Sequence, residues 1–358
     1  MKAVRVHEYD TVPTLDDVPV PAVRDPHDVV VKVRGAGVCR TDLHIIEGQW
    51  KGKSGVRLPY TIGHENAGTV TEIGSAVTNV KVGDSVILHP LATCGLCLSC
   101  RNGDDVHCTH SDFPGIDADG GMAEYLRTSA RSVVTLDPGL EPADVAALAD
   151  AGLTAYHAAR KAAEILRPGH TVAVIGAGGL GHIGVQVLES LTAARIVVVD
   201  QSPEALELAK QIGADVTVIA DGNEAREVLG LTGGNGAEVV LDFVGEGTAI
   251  AAGVAMLRRA GSYFVIGYGG NLDVPTIDII SSEINFIGNL VGTYNDLVEL
   301  MALAAEGKVR LHTVKYRFSN FRQALDDLHH GRVRGRAVLV PDDEFDGQRG
   351  TLDSAPRA

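Results

Sequence analysis

No apolar run in this 358-residue chain approaches the roughly 18 residues that a membrane-spanning helix needs. That excludes an integral helical membrane protein. The first ten residues, MKAVRVHEYD, lack the apolar core of a secretory signal, so the expected location is the cytoplasm. Positive charge is in deficit: 31 Lys and Arg stand against 46 Asp and Glu, a formal net charge of -15. An acidic surface repels polyanions, which removes nucleic acid and anionic membranes from the expected partners. Cysteine is scarce, with five in all. In a reducing compartment such clustered cysteines read as metal ligands before they read as disulfides. Internal repeats are absent. With 45% hydrophobic and 22% charged residues, the composition is that of a soluble globular protein. The charge says nothing about a small uncharged substrate. The length suggests about two domains.

Two textures divide the chain. Residues 1–90, in a first domain of 1–152, are β-rich, with short runs such as Val29–Val33 and Ser85–Leu88 punctuated by Gly, Pro and Asp. A cysteine-rich loop runs from Cys94 to Cys108. From residue 153 to 294 apolar β-branched runs alternate with helical segments such as Pro203–Ile212. The runs are Thr171–Ile175, Arg195–Val199, Asp215–Ile219, Glu238–Phe243, Ser262–Ile266 and Asn285–Leu290. Six buried strands with crossovers predict an α/β fold with a doubly wound parallel sheet. An amphipathic helix, Asn295–Glu306, then leads through residues 295–341 back to the first domain, ending in a strand at Arg336–Val340. The polar segment 342–358 is expected to be a poorly ordered tail.

The first strand of the second domain enters Gly176-Ala177-Gly178-Gly179-Leu180-Gly181. A lone GxGxxG is weak evidence, but here it follows a strand and opens a helix, as a dinucleotide fingerprint requires. The helix N-terminus offers free N–H groups and a positive dipole end to a pyrophosphate. Nineteen residues after Gly181, Asp200 ends the second strand. A carboxylate there accepts from the ribose hydroxyls and repels a 2′-phosphate, which favours NAD over NADP. The alternative is a cap on the helix at Pro203, where Ser202 also qualifies.

Cys94-x2-Cys97-x2-Cys100-x7-Cys108 is the strongest local signal. Four thiolates enclose a zinc ion tetrahedrally and leave no open position, which makes such a site structural. An iron–sulfur cluster also uses four cysteines, but the other ferredoxin spacings are absent. A disulfide pair is the remaining alternative. Cys39 is left over, in Gly37-Val38-Cys39-Arg40-Thr41-Asp42-Leu43-His44, and His64 follows in Gly63-His64-Glu65-Asn66-Ala67-Gly68. By themselves a buried Cys and a lone His are more often packing than ligands. His64-Glu65 is not HExxH, since Gly68 stands where the second His would be, so a metalloprotease is excluded.

Taken together, GVCRTDLH, GHENAG, the four-cysteine loop, DAGLTAYHA, GAGGLGH, LDFVG and GRAVLVP occur in an order that resembles the zinc-dependent medium-chain alcohol dehydrogenases over about residues 1–340. The match leans to bacterial NAD-dependent secondary-alcohol enzymes, with features of microbial primary-alcohol enzymes from Cys39 to Trp50. The resemblance implies a GroES-like β-rich catalytic domain beside the dinucleotide domain, and two zinc ions per chain. It implies that Cys39 and His64 bind the catalytic zinc, with Glu65 as a resting-state ligand displaced by substrate. The third ligand in many members is a second Cys; here Asp150 stands in that place, as in the Rhodococcus-type branch. Carboxylate oxygen is an acceptable zinc donor; the alternative for Asp150 is a helix N-cap.

Further roles come from the same resemblance. Thr41 accepts the alcohol proton, which passes through the nicotinamide ribose to His44 and water; the alternative is a short helix with ordinary polar contacts. Asp42 orients His64. Arg40 and Arg336 pair with the cofactor pyrophosphate. Trp50 lines the alcohol pocket or anchors its loop, and His89 and Val291 are further pocket candidates. The implied activity interconverts alcohols and aldehydes or ketones with NAD, in a homodimer or homotetramer joined near Asn285–Leu290. A polyol or amino-alcohol dehydrogenase on the same scaffold, or a non-catalytic zinc- and nucleotide-binding relative, are the alternatives. Zinc-free quinone reductases share the scaffold but lack the cysteine loop.

Overall fold

Thr171–Ile175 is buried at every position, as a strand covered on both faces must be. It is the centre of a six-stranded parallel sheet in the computed structural model, which describes residues 1–345. Across the sheet the strands run Val216–Ile219, Arg195–Asp200, Thr171–Ile175, Ala237–Asp242, Leu257–Val265 and Asn285–Gly288. The order reverses at Thr171–Ile175, which leaves a crevice at the carboxyl ends of the strands, where this class of sheet binds ligands. Helices Gly181–Leu191, Pro203–Gln211, Glu224–Leu231, Ala249–Met256 and Thr276–Ser282 lie in the five crossovers. Pro203 sits in the first turn of its helix, and the Ser202 hydroxyl accepts the Ala205 N–H at 3.2 Å. Ser202, not Asp200, therefore caps that helix.

The last strand ends at Gly288 rather than Leu290, and another departs further. The fifth begins at Leu257 rather than Ser262. A register shift between Ala237 and Val239, with Ala260 at φ 57, interrupts the alternation from which a strand is recognised.

The other unit is β-rich. Its seven-stranded sheet runs Thr313–Arg317, Arg336–Val340, Asp28–Val38, Glu65–Ile73, Ser85–Leu88 and Val133–Thr135, with Tyr125–Ser129 also paired to Asp28–Val38. A smaller sheet joins Thr14–Asp17, Lys2–Val6 and Tyr60–Thr61. Valines dominate the core, among them Val31, Val33, Val70 and Val86, each 7% exposed or less. Each such side chain contributes about 1.5–3 kcal/mol by leaving water.

Register is what matters for the site. Gly37 pairs with Glu65 and Val38 with Ala337, both antiparallel. Three strand ends therefore converge, bringing Cys39, the His64–Glu65 pair and Arg336 to one end of the ladder.

Chain contacts divide the protein into two compact units: 1–151, 293–305 and from 311 onward, and 152–292 with 306–310. The short excursion has a local cause. Gln186 donates to the Arg310 carbonyl at 3.0 Å and accepts the Arg310 N–H at 2.9 Å, which ties 306–310 to the parallel-sheet unit. The start of the supposed tail is not loose. Asp342 accepts from Ser319 at 2.9 Å, and Glu344 pairs with Lys32 and Arg34. The rest of that expected tail, 346–358, lies outside the described residues. No helix among the described residues is long and apolar enough to cross a membrane.

Candidate metal centre and dinucleotide site

Cys39 precedes the short helix Arg40–Ile46. Its N–H donates to Asp42 Oδ2 at 2.8 Å, while Asp42 Oδ1 lies 3.5 Å from His64 Nδ1. Asp42, fully buried, thus holds the backbone of one expected ligand and lies beside the ring of the other. On the far side of the ring, His64 Nε2 lies 3.5 Å from Asp150 Oδ2. Ligand atoms of Cys39, His64, Glu65 and Asp150 all fall within 4.8 Å of one another. Phe113 meets the His64 ring edge-on at 6.1 Å, a neighbour that no motif announced.

Hydrogen bonding in this cluster is incomplete. Both His64 nitrogens, Asp150 Oδ1 and Glu65 Oε2 are buried without a hydrogen-bond partner. Orphaned buried polar atoms are costly and need an explanation. One thiolate, one imidazole and carboxylates around a common point are a donor set that fits zinc, and a dication there would satisfy His64 Nε2, Asp150 Oδ1 and Glu65 Oε2, while His64 Nδ1 faces Asp42. Asp150 is not spent on capping, because its Oδ1 is unpaired and its Oδ2 faces His64. Burial opposes a charge on His64, yet Asp42 and Asp150 hold its pKa well above the ordinary imidazole value. Burial raises the Glu65 pKa, against the pull of Arg336. Glu65 Oε1 accepts from Arg336 at 2.5 Å and from the Ala151 N–H at 3.2 Å. Arg336 is 4% exposed, and its Nε has no partner.

The four-cysteine loop forms a second cluster, again with all sulfurs within 4.8 Å of each other. All five cysteines are free thiols, which sets aside the disulfide alternative. Backbone N–H groups of Leu96 and Cys97 point at Cys94 Sγ, each at 3.4 Å, and that of Cys94 at Cys108 Sγ at 3.3 Å. N–H donors from Cys100 and Thr109 lower the Cys97 pKa to about 6, whereas burial pushes Cys100 up to about 12. Leu96 and Leu98 are 72% and 76% exposed, so the loop turns apolar residues outward and has little core of its own.

In the other unit the phosphate-loop geometry is set by close approach. Gly176 has φ 87, and a Cβ on Gly181 would sit 1.7 Å from the Gly176 carbonyl oxygen. A Cβ on Gly178 would meet nothing within 4 Å, the open space that a pyrophosphate needs. Asp200 Oδ2 accepts the Ala177 N–H at 2.6 Å, and its Oδ1 the Ser202 N–H at 2.8 Å. Asp200, Glu224, Glu246, Gly176 and Val244 line a cavity of about 310 Å³.

Comparison with known proteins places these features in one context. Residues 25–138 match the alcohol dehydrogenase GroES-like domain, and residues 179–306 the zinc-binding dehydrogenase domain. An NAD-dependent alcohol dehydrogenase of Sulfurisphaera tokodaii is 35% identical over 350 residues, 95% of this chain and 100% of that one. Its counterpart in Sulfolobus acidocaldarius is 37% identical over 347 residues, 95% and 99% of the two chains. The chain belongs to the zinc-binding alcohol dehydrogenase family. The crystal structure of the alcohol dehydrogenase from the archaeon Aeropyrum pernix superposes with a TM-score of 0.92 at 45% identity, covering 95% of this chain and 100% of that one.

The remaining candidates of this dehydrogenase-family chain are placed as follows. Thr41 and His44 lie three residues apart on the helix Arg40–Ile46, both half-buried, and Arg40 is exposed. Trp50 packs, half-buried, against the core of the β-rich unit. His89 is 2% exposed, with Nδ1 3.1 Å from the Leu91 carbonyl and its ring 6.4 Å from Tyr294. Val291, 7% exposed, has φ 46, a left-handed conformation that a β-branched residue rarely adopts.

Proposed function

We propose that the chain is an NAD-linked alcohol dehydrogenase with two zinc ions, one enclosed by Cys94, Cys97, Cys100 and Cys108 and one held by Cys39, His64 and Asp150. The buried cluster of unpartnered donor atoms beside the Thr41–His44 helix is the observation that carries this reading. Zinc, when bound, supplies Lewis-acid polarisation of the substrate oxygen, and NAD, when bound, accepts the hydride.

The chain's own residues prepare that chemistry. Cys39 and Asp150 bring two negative charges, which match a dication. Asp42 faces Nδ1 of His64 at 3.5 Å, which leaves Nε2 as the donor atom. Glu65 is the resting-state ligand, held by Arg336 and the Ala151 N–H with one oxygen unused. The Thr41 hydroxyl accepts the alcohol proton, being both donor and acceptor. His44 hands the proton to water, because imidazole titrates near neutrality. Arg40 and Arg336 are assigned to the pyrophosphate, and Trp50, His89 and Val291 to the alcohol pocket. The enzyme is taken to be a cytoplasmic homodimer or homotetramer joined at the sheet edge Asn285–Gly288.

The substrates proposed are simple primary and secondary alcohols. NADH formation with 2-butanol or ethanol should exceed that with 2,3-butanediol, sorbitol or threonine. Faster turnover of sorbitol or threonine would move the enzyme to the polyol or amino-alcohol class. No NADH from any alcohol would favour a non-catalytic relative.

Asp200→Ala should raise the KM for NAD about 10- to 100-fold, the scale of losing hydrogen bonds to a charged group. NADP should improve relative to NAD without overtaking it, because Glu224 and Glu246 keep the cavity acidic. The ratio of kcat/KM for the two cofactors measures this. An unchanged ratio would mean that Asp200 does not read the ribose.

A further inference from the structure

One buried acid has no part in the chemistry above. Asp242 ends the strand Ala237–Asp242 and is 1% exposed. Two residues earlier, Val240 pairs with Tyr263 on the neighbouring strand. Side chains two apart share a face of a sheet, so Asp242 lies on the Tyr263 side. The Tyr263 hydroxyl donates to Asp242 Oδ2, and the ring is fully buried. Burial and the adjacent carboxylate push the Tyr263 pKa far above the usual phenol range, so the hydroxyl keeps its proton and donates.

The other oxygen of Asp242 faces the cofactor loop. Oδ1 accepts the N–H groups of Val244 at 2.8 Å and Gly245 at 2.9 Å. The Asp242 carbonyl accepts the N–H groups of Ile266 at 3.1 Å and Gly267 at 2.9 Å. One residue therefore fixes two strand-end loops, and these loops interlock. A Cβ on Gly245, at φ +66, would come within 2.1 Å of the Gly267 carbonyl. Val244 abuts the phosphate loop, since a Cβ on Gly176 would meet its Cγ2 at 2.7 Å. Val244, Gly247 and Thr248 line the cavity that contains Asp200. A buried carboxylate without a cation is expensive unless its lone pairs are used, and here three donors use them.

We propose that the Asp242–Tyr263 pair is a positioning device for the dinucleotide, holding the Phe243–Gly247 loop as a finished wall of the cofactor cavity before the cofactor arrives. This rests on the assignment of the second unit as the NAD site. A loop ordered in advance spares the ordering cost at binding. Tyr263→Phe keeps the ring and removes the donor.

In the zinc-loaded full-length enzyme, Tyr263→Phe should raise the Kd and KM for NAD about 10-fold, the scale of one hydrogen bond to a charged group. The alcohol KM and the kcat at saturating NAD should move less than about 2-fold. Asp242→Asn keeps an oxygen for both loop N–H groups and an amide facing the Tyr263 oxygen. It should bind NAD nearly as the wild type does, while Asp242→Ala should not. A Tyr263→Phe enzyme that melts earlier but binds NAD as tightly as the wild type would overturn the proposal, because the pair would then be structural only. Amide exchange in the cofactor-free wild type tests it without any variant. Val244 and Gly245 should exchange slowly; fast exchange that slows only on adding NAD overturns it. Failure of the wild type to bind NAD at all would sink the site assignment itself, a result visible before any substitution is made.

Discussion

Cys39→Ser is expected to leave one zinc per chain, against the two expected in the wild type, and to lower kcat/KM for alcohol about 1,000-fold or more. A serine hydroxyl is a poor zinc donor at neutral pH, and losing the metal forfeits several kcal/mol of transition-state stabilisation. Each 1.36 kcal/mol is about a factor of ten in rate. The fold should survive. Cys39 sits at the end of an antiparallel ladder, and its N–H would still find Asp42. Metal analysis with steady-state kinetics checks both halves of the expectation. An active wild type with only one zinc would end the two-site assignment. Asp150→Ala extends the test to the least familiar ligand: loss of the same zinc equivalent places its carboxylate on the metal. Retention of both zincs would leave Asp150 as a neighbour of His64 and no more.

Cys100→Ser should show the opposite balance. It removes a ligand from a loop whose apolar residues Leu96 and Leu98 face outward, so little hydrophobic burial remains to hold the loop. Zinc contributes about 10–16 kcal/mol to folding in isolated zinc-finger peptides. Even a fraction of that here lowers the melting temperature by about 10 °C or more, at about 2–4 °C per kcal/mol for units of this size. The surviving folded protein should keep its catalytic zinc and much of its turnover number. Calorimetry beside active-site titration distinguishes the two variants. Equal stability of Cys100→Ser and wild type would mean that the loop does not depend on its metal. The backbone N–H contacts to the cysteine sulfurs and the burial of Cys100 argue that it does.

Some of this was legible in the residues. The parallel sheet announced itself because strands buried on both faces are continuous runs of Val and Ile, and Thr171–Ile175 needs no partner to be recognised. The four-cysteine loop is local, since its ligands span fifteen positions. The other cluster is a product of register. Glu65 and Arg336 are 271 residues apart, and they meet because Gly37 opposes Glu65 while Val38 opposes Ala337. Pairing register is set by the whole sheet and leaves no periodic trace in either strand. Family motifs stood in for that knowledge at Cys39, His64 and Asp150, but they were silent on Phe113 over the imidazole. The Asp242–Tyr263 bond escaped for a related reason. A tyrosine in an apolar strand looks like core until the neighbouring strand is aligned with it.

The path of the chain has a practical consequence for anyone who wishes to exchange cofactor modules between enzymes. Residues 306–310 belong to the dinucleotide unit, although the helix before them and the strand after them belong to the other. A fragment cut at residues 152 and 292 would carry Gln186 without the Arg310 backbone that its amide engages on both sides. The Gln186 amide oxygen would then lose its donor, and its nitrogen would keep only the His182 carbonyl. A transplant that respects the fold must graft two discontinuous pieces, and the smaller is five residues long. The cofactor half of this enzyme is thus a spliced unit, and a recombination boundary drawn only at its obvious ends would cut through its wall.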